Sequence, residues 1–229
     1  MPRADAPPIL ATTDASKVYG DLVALHPLTV EVPRGQSVAL IGHNGSGKST
    51  LLALVAGLLE LSDGEISVLG EPAGSSPARA AVSYLPDNPV LYDDLSVREH
   101  LAYIAALHGV SVDDADMDEL LERIGLRDRA DDLPARFSRG LRQRTSIALG
   151  LVRPFELLLV DEPFVGLDAS GKASLVTMLD ELHADGASLI VATHDPTFVE
   201  RVERCIALRD GRVIHDGPAA PDDVIGLVS

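Results

Sequence analysis

A nine-residue segment rich in glycine carries the groups that bind phosphate; its sequence is GHNGSGKST. The glycines can adopt positive φ angles, so successive backbone N–H groups can point into one concavity that holds an anion. Lys48 supplies a positive charge for the terminal phosphates of a nucleoside triphosphate, and the Ser49 hydroxyl is placed for Mg²⁺. We therefore predict that the nucleotide contacts all nine residues: Gly42, His43, Asn44, Gly45, Ser46, Gly47, Lys48, Ser49 and Thr50.

Two adjacent carboxylates, Asp161 and Glu162, follow the apolar run Leu157–Val160. A carboxylate at the carboxyl end of a parallel strand lies where ligands bind in such sheets. We predict that Asp161 holds Mg²⁺ through water, since this ion keeps part of its hydration shell. Glu162 is predicted to polarise the attacking water as a general base. An exposed acidic turn after a core strand is the alternative interpretation.

The elements that must position these groups alternate between strand and helix. Val38–Ile41 is predicted as a buried strand before the phosphate loop, with a helix from there to Leu58 whose N-terminus favours phosphate. The alternation then continues with further strands and an amphipathic helix around Leu175, and a closing hairpin turns at Asp210-Gly211. The predicted strands of this core are Ile66–Leu69, Val82–Leu85, Leu157–Val160, Leu189–Ala192, Arg204–Leu208 and Val213–Ile214.

Between the two nucleotide motifs the pattern becomes helical, from Ser96 to about Gly150. Ser96-Val97-Arg98-Glu99 is a capping box, which predicts a helix start at this position. The acidic run Asp113–Glu119 is predicted to be a solvated helix start, because carboxylates favour the positive end of a helix; a metal site is the alternative. The first 35 residues are predicted to form short β segments, broken by Pro27, Pro33 and Gly35.

Composition narrows the class of protein. The chain has 229 residues and a net charge of −16, which argues against a broad nucleic-acid surface. Apolar residues make up 46%, enough for one large core, and no apolar run reaches the 18 residues of a membrane span. The single cysteine, Cys205, fits core packing in a reducing compartment, and the N-terminus lacks a signal pattern. We therefore expect a cytoplasmic protein without a transport pathway of its own.

Taken in order, the motifs resemble those of ATP-binding cassette (ABC) ATPases. Phe137-Ser138-Arg139-Gly140-Leu141 is similar to the family's signature Leu-Ser-Gly-Gly-Gln, and Gly166-Leu167-Asp168 is similar to the loop that crosses the dimer interface. His194 resembles the switch histidine that contacts the γ-phosphate. Tyr19 resembles the aromatic residue that stacks on adenine, although packing at a strand end would explain a lone tyrosine equally well.

The resemblance implies a P-loop NTPase core of the α/β class with a mostly parallel sheet, N-terminal antiparallel β segments and a helical subdomain. One ABC nucleotide-binding domain would span 1–229, with its core at about 8–95 and 152–217, its helical subdomain at about 96–151 and a tail at 218–229. Two cassettes would bind two ATP molecules head to tail, and Ser138 and Gly140 of one would contact the γ-phosphate held by the other. Homodimer and heterodimer both remain open.

Two departures from the family pattern stand out. Arg139 occupies a glycine position of the signature, and the variant Ser-Arg-Gly-Leu-Arg-Gln-Arg resembles the Ser-Lys-Gly-Met-Arg-Gln form common in exporter cassettes that pair with type-2 permeases. Asp87 occupies the position of a glutamine; it is predicted to reach the nucleotide or Mg²⁺, with a plain loop residue as the alternative. An ionised aspartate only accepts hydrogen bonds, whereas glutamine also donates them.

The resemblance further implies the subunit of a transporter, with a lean towards export. A groove between the loop that contains Asp87 and the helix that starts near Val97 would receive helices of a membrane permease. The cassette would then lie at the inner face of the cell membrane. The alternatives are a cassette with no role in transport and an ATP-driven regulatory module.

Overall fold

Two sheets contain the strands of residues 6–218, the part of the chain that the computed structural model describes. The first sheet is antiparallel and has the strand order β2-β1-β4-β5. Its strands are β1 (Leu10–Tyr19), β2 (Leu22–Val32), β4 (Asp63–Val68) and β5 (Glu71–Pro72). The N-terminal β segments are longer than predicted, and the predicted break at Pro27 is wrong, because β2 continues through this residue. Leu10 pairs with Val32 on one side and Val68 on the other.

The second sheet has six strands in the order β10-β9-β3-β8-β7-β6. The pairs β7–β8, β8–β3 and β3–β9 are parallel, and β9 and β10 form the predicted antiparallel hairpin. The strands are β3 (Ser37–Ile41), β6 (Val82–Leu85), β7 (Leu157–Asp161), β8 (Ser188–Ala192), β9 (Arg204–Arg209) and β10 (Arg212–Pro218).

Burial explains why these strands could be recognised from their composition. Every residue of β3, β7 and β8 is buried. A parallel strand is covered on both faces, so it is a continuous apolar run rather than an alternating one. The predicted α/β fold with a mostly parallel sheet is confirmed, and the carboxyl ends of β3, β7 and β8 lie next to each other at one edge.

Seven α-helices and two short 3₁₀ helices, Arg127–Arg129 and Pro134–Arg136, complete the described residues. The predicted capping box is present at the third helix, where Ser96 and Glu99 each bond the backbone of the other. Asp113 caps the fourth helix, so the acidic run is a helix start. The helices are α1 (Lys48–Val55), α2 (Ser76–Ala81), α3 (Val97–Leu107), α4 (Asp114–Ile124), α5 (Arg139–Leu151), α6 (Ala169–Ala184) and α7 (Pro196–Val199).

Two sequence predictions need correction. The segment Ile66–Leu69 was expected among the alternating core strands, but β4 pairs antiparallel with β1 in the first sheet. The helix expected to run to Leu58 ends at Val55, because Gly57 adopts a φ of 69° and turns the chain. Leu58 is 65% exposed, so its apolar side chain does not extend the buried face of α1.

The chain divides into two compact units. The first contains the chain up to Tyr84, Phe155–Glu162 and the chain from Leu179 onward. The second contains Leu85–Pro154 and Pro163–Met178, so it includes the segment 96–151 expected to be helical together with residues on both sides of it. Of the expected tail, 218–229, the residues after 218 lie outside the described part of the chain.

Candidate active site

The phosphate loop in the first unit wraps around Lys48. This lysine is only 6% exposed, and its Nζ donates hydrogen bonds to the carbonyl oxygens of Gly42 at 2.7 Å and His43 at 3.4 Å. Gly47, at a φ of 106°, precedes α1 and offers no side-chain cap. Because glycine has no side-chain oxygen, Gly47 does not cap the first N–H groups of α1, which suits an anion at the helix N-terminus.

Two glycines of the loop lie too close to neighbouring backbone atoms for any residue with a side chain to replace them. A Cβ at Gly42 would lie 2.3 Å from the Ser46 Oγ and 2.4 Å from the carbonyl oxygen of Leu208. A Cβ at Gly47 would lie 2.8 Å from the carbonyl oxygen of Ala24. The glycines therefore allow the loop to lie against the backbone of neighbouring strands as well as to bend.

Glu162, the first residue after β7, is held in an unfavourable backbone conformation. Its φ is 47°, which costs about 1–2 kcal/mol for a residue with a side chain. Its N–H donates to the carbonyl oxygen of Ala192 at the end of β8, with a distance of 2.8 Å. This hydrogen bond to β8 stabilises the unfavourable conformation of Glu162. In this conformation the Glu162 side chain contacts two other residues.

Those partners are Lys48 and His194. The Glu162 Oε1 lies 3.4 Å from the Lys48 Nζ, and its Oε2 lies 2.9 Å from the His194 Nδ1. The Glu162 side chain is 15% exposed, whereas that of His194 is 68% exposed. Both contacts are close in distance but lack the geometry of a hydrogen bond, so each carboxylate oxygen can still accept one from a bound molecule. A carboxylate held this way can take a proton from water.

Asp161 and the two loop serines supply further oxygen atoms. Asp161 is the last residue of β7 and is 3% exposed, while Ser49 lies in the first turn of α1, which packs against β7. The Oγ of Ser46 is buried without a hydrogen bond to another described residue. Carboxylate and hydroxyl oxygens are the ligands that Mg²⁺ prefers, so this donor set fits the ion.

Tyr19 and His43 lie at the surface of the same unit. Tyr19 ends β1, is 44% exposed, and has the Lys17 ammonium 5.1 Å from its ring centroid. An exposed ring is available for stacking. The Nε2 of His43 lies 3.6 Å from the Asp210 carboxylate, and the Gly211 N–H donates to the Ser46 carbonyl oxygen at 3.0 Å. These contacts fasten the loop to the turn of the β9–β10 hairpin, a role that the sequence alone did not suggest.

Ser138 and Gly140 belong to the second unit, at the start of α5. Ser138 is exposed and is the N-cap of this helix, its Oγ accepting from the Leu141 N–H at 3.4 Å. A Cβ at Gly140 would lie 3.1 Å from the carbonyl oxygen of Gly166, so the signature packs against the Gly166–Asp168 loop. The capping role was not predicted, although serine before a helix is its usual signal.

Asp87 is also in the second unit, in the loop that follows β6. Its Oδ1 accepts a hydrogen bond from Arg139 at 3.1 Å, and its Oδ2 accepts one from Asn88 at 2.9 Å. The predicted contact of Asp87 with nucleotide or Mg²⁺ stays a prediction. The partnership with Arg139 was missed, although both residues depart from the family pattern.

Comparison with known proteins identifies the family of this chain. The ABC transporter family matches residues 25–165. The chain is 34% identical over 227 residues to a macrolide export ATP-binding/permease protein of Aeromonas hydrophila, covering 93% of this chain and 35% of that protein. It is 33% identical over 213 residues to the SkfA peptide export ATP-binding protein of Bacillus subtilis, covering 91% and 88%. Proteins named for import also match.

A solved structure described as the ATP-binding subunit of an ABC transporter has 34% identity and a TM-score of 0.83, covering 92% of this chain and 90% of that one. The chain spans about a third of the length of the macrolide export relatives. No helix among residues 6–218 is long and apolar enough to cross a bilayer. Since this family matches residues 25–165, and relatives of 34% and 33% identity cover 93% and 91% of the chain, the chain belongs to the ABC transporter family and is one of its ATP-binding cassettes.

Proposed function

We propose that this cassette hydrolyses ATP and that Lys48, Glu162 and His194 perform the chemistry. The observation that carries the proposal is the contact of the Glu162 carboxylate with both the Lys48 ammonium and the His194 imidazole. Lys48 binds the β- and γ-phosphates, Glu162 accepts a proton from the attacking water, and His194 contacts the γ-phosphate. The phosphate loop, Gly42–Thr50, surrounds the phosphates, and Tyr19 stacks on the adenine.

The Ser49 hydroxyl, together with Asp161 acting through water, would hold Mg²⁺ beside these groups. When bound, the ion neutralises charge on the phosphate oxygens. Asp161 is buried at the end of β7, where a carboxylate is costly unless a cation or hydrogen bonds stabilise it. Asp87 is a second, weaker candidate for the same ion.

Two cassettes bind two ATP molecules head to tail in this proposal. Ser138 is exposed at the N-terminus of α5, and that helix end favours negative charge. A phosphate held by Lys48 of one cassette would therefore meet Ser138 and Gly140 of the other. In a homodimer both sites would be complete, because this chain carries the residues proposed for each half; a heterodimer is the alternative.

The membrane partner would contact the second unit. Val90 is 95% exposed and Tyr92 is 52% exposed, in the loop between β6 and α3, and Tyr103 of α3 lies edge-on against Tyr92. The buried His100 holds this loop, since its Nε2 accepts from the Tyr92 N–H at 2.9 Å. Exposed aromatic and aliphatic side chains on a fixed loop suit the helices of a permease.

We propose export as the direction, on the strength of the altered signature and the names of the macrolide and peptide export relatives. The cassette would then lie at the inner face of the membrane, bound to its permease. Isolation of a permease with this chain from membranes tests the partner. Recovery of a complex without any membrane protein would favour a regulatory or non-transport role.

Mixing two inactive variants tests the head-to-tail site. Ser138→Arg and Lys48→Ala chains should each hydrolyse no ATP alone. When mixed, some dimers place both defects in one site and leave the other intact, so ATPase activity should return. The measurement is phosphate release, made with the permease present if the isolated cassette dimerises weakly. No recovery in a complex shown to contain both chains would contradict the arrangement.

A further inference from the structure

The two residues that depart from the family pattern contact each other. An Nη2 of Arg139 donates to the Oδ1 of Asp87 at 3.1 Å, and both residues lie in the second unit. Where the family has a neutral glutamine and a glycine, this chain has a carboxylate and a guanidinium. Each replacement alone adds an isolated charge, whereas together they form an ion pair. The two departures are therefore best understood as one change.

A second arginine of the same helix turn holds the same loop. We call residues 86–95, between β6 and α3, the Asp87 loop. The Nη2 of Arg142 lies 3.5 Å from the Pro89 carbonyl oxygen. Residues three apart on a helix lie on one face, so Arg139 and Arg142 reach the loop from one side of α5. The first turn of α5 therefore contacts the Asp87 loop at two points.

The aliphatic part of Arg139 also lies on the loop after β7. A Cβ at Gly166 would be 3.0 Å from the Arg139 Cδ and 3.1 Å from its Cγ, and Gly166 has a φ of 83°. The glycine therefore leaves room for the arginine stem. One side chain thus touches the Asp87 loop and Gly166 while its backbone forms the first residue of α5.

We propose that Arg139 and Asp87 are a pair of positioning residues that link the Asp87 loop to the signature at the start of α5. Movement of the loop's exposed segment would be transmitted through the pair to Ser138 and Gly140. The catalytic consequence rests on the function proposed above; the link itself does not. The pair is half exposed, at 56% for the Arg139 side chain and 35% for Asp87. Exposed ion pairs are weak, which suits a contact that breaks and re-forms in each cycle.

Charge reversal with a matched control tests the link. The test variants are Arg139→Asp, Asp87→Arg and the double reversal. The control is the Arg129–Asp132 pair of the same unit, which has a distance of 2.9 Å and side-chain exposures of 57% and 46%. The control variants are Arg129→Asp, Asp132→Arg and the double reversal of this pair. All six chains are compared with the unchanged chain by hydrogen exchange of the Asp87-loop amides.

Each single reversal at Arg139 or Asp87 should accelerate exchange in the loop by about two- to fivefold, the range expected for loss of one exposed ion pair. The double reversal should restore the original rate, and the control variants should leave it unchanged. A double reversal that exchanges no slower than the faster single one overturns the link. An equal change in the control variants overturns it as well, because the effect would then be general loosening.

Turnover separates positioning from a merely structural role. The single reversals should lower kcat for ATP hydrolysis with little change in KM, and Arg139→Lys, which keeps the positive charge beside Asp87, should retain most of it. Equal loss of kcat in Arg139→Lys and Arg139→Gln would contradict a positioning role. If the unchanged chain hydrolyses no ATP, the proposed function fails while the exchange experiment still decides the link. If a reversal prevents folding, Arg139→Gln, Asp87→Asn and their combination complete the same cycle.

Discussion

In the first unit Glu162 contacts both Lys48 and His194 within one chain, and Lys48 and Glu162 are largely buried. Ser138 and Arg139 of the second unit are exposed at a helix start, and Ser138 bonds only its own helix among the contacts described. The sheet of the first unit holds Glu162, the proposed general base, even against backbone strain. The second unit instead exposes Ser138, which we propose meets a phosphate held by another cassette. Mutation of Glu162 should therefore act on the chemistry, whereas mutation of Ser138 should act on the assembly of the site between two cassettes.

Glu162→Gln should have the largest effect. It removes the base but keeps the shape, so kcat should fall by about 10²–10⁴-fold while ATP binding persists. Closed dimers should accumulate, since the phosphate contacts remain. Glu156→Gln is the control, a carboxylate of the same unit that pairs with Arg34 at 3.3 Å. Phosphate release and nucleotide binding measure the result, and near-normal turnover in Glu162→Gln would remove this residue from its role.

Ser138→Asp tests whether the signature meets a phosphate. Aspartate caps a helix as well as serine does, so stability should hold. Its charge would repel a γ-phosphate by about 1–4 kcal/mol per pair of unit charges, so hydrolysis and nucleotide-driven dimerisation should fall. Asp113→Ser is the matched reverse exchange, at the N-cap of α4. Thermal unfolding, ATPase activity and size-exclusion chromatography with ATP are compared. Full activity in Ser138→Asp would show that no phosphate binds at this helix start.

Gly42→Ala probes how tightly the first unit closes around its loop. The new Cβ would clash with the Leu208 carbonyl oxygen, so we expect a loss of about 3 kcal/mol in the free energy of unfolding and weaker ATP binding. Gly20→Ala is the control, since Gly20 has a φ of 57° but nothing within 4 Å of the added Cβ. It should cost about 1 kcal/mol, from conformation alone. Urea unfolding measures both, and equal losses would show that contact with Leu208 is unimportant.

The smallest effect is expected at the ion pairs of the second unit. Hydrogen bonds from Arg98, at 2.6 Å, and from Arg127 hold the pKa of Asp118 below its usual value. A depressed carboxyl pKa stabilises the fold above the unfolded-state pKa, and the stabilisation disappears as pH falls through the folded-state pKa. Asp118→Asn should therefore lower Tm at neutral pH, and its difference from the unchanged chain should shrink on acidification. Thermal melts across this pH range measure the difference, and a difference that stays constant on acidification would contradict the stabilising role of the two arginines.

The sequence indicated which candidate residues of the first unit lie together, and there is a physical reason. Asp161 and His194 each lie at or just after the end of an apolar run, and such runs become neighbouring buried strands, β7 and β8, whose ends coincide. The Glu162 strain could not be predicted, because it arises from a hydrogen bond to Ala192 on another strand. The contact of Arg139 with Asp87 joins residues 52 positions apart. No local periodicity encodes such a pairing, although each residue was recognised separately as unusual.

The fastening of the phosphate loop to the β9–β10 hairpin has a consequence for synthesis of the chain. Leu208 bounds the space beside Gly42, Gly211 bonds Ser46, and β9 pairs along β3, which leads into the loop. A ribosome adds these hairpin residues more than 150 positions after the loop itself. The nascent chain therefore exposes the glycine-rich segment long before its supports exist. Competence to hold a nucleotide is expected to arrive late, when the hairpin emerges, and a chain truncated before Arg204 should bind none.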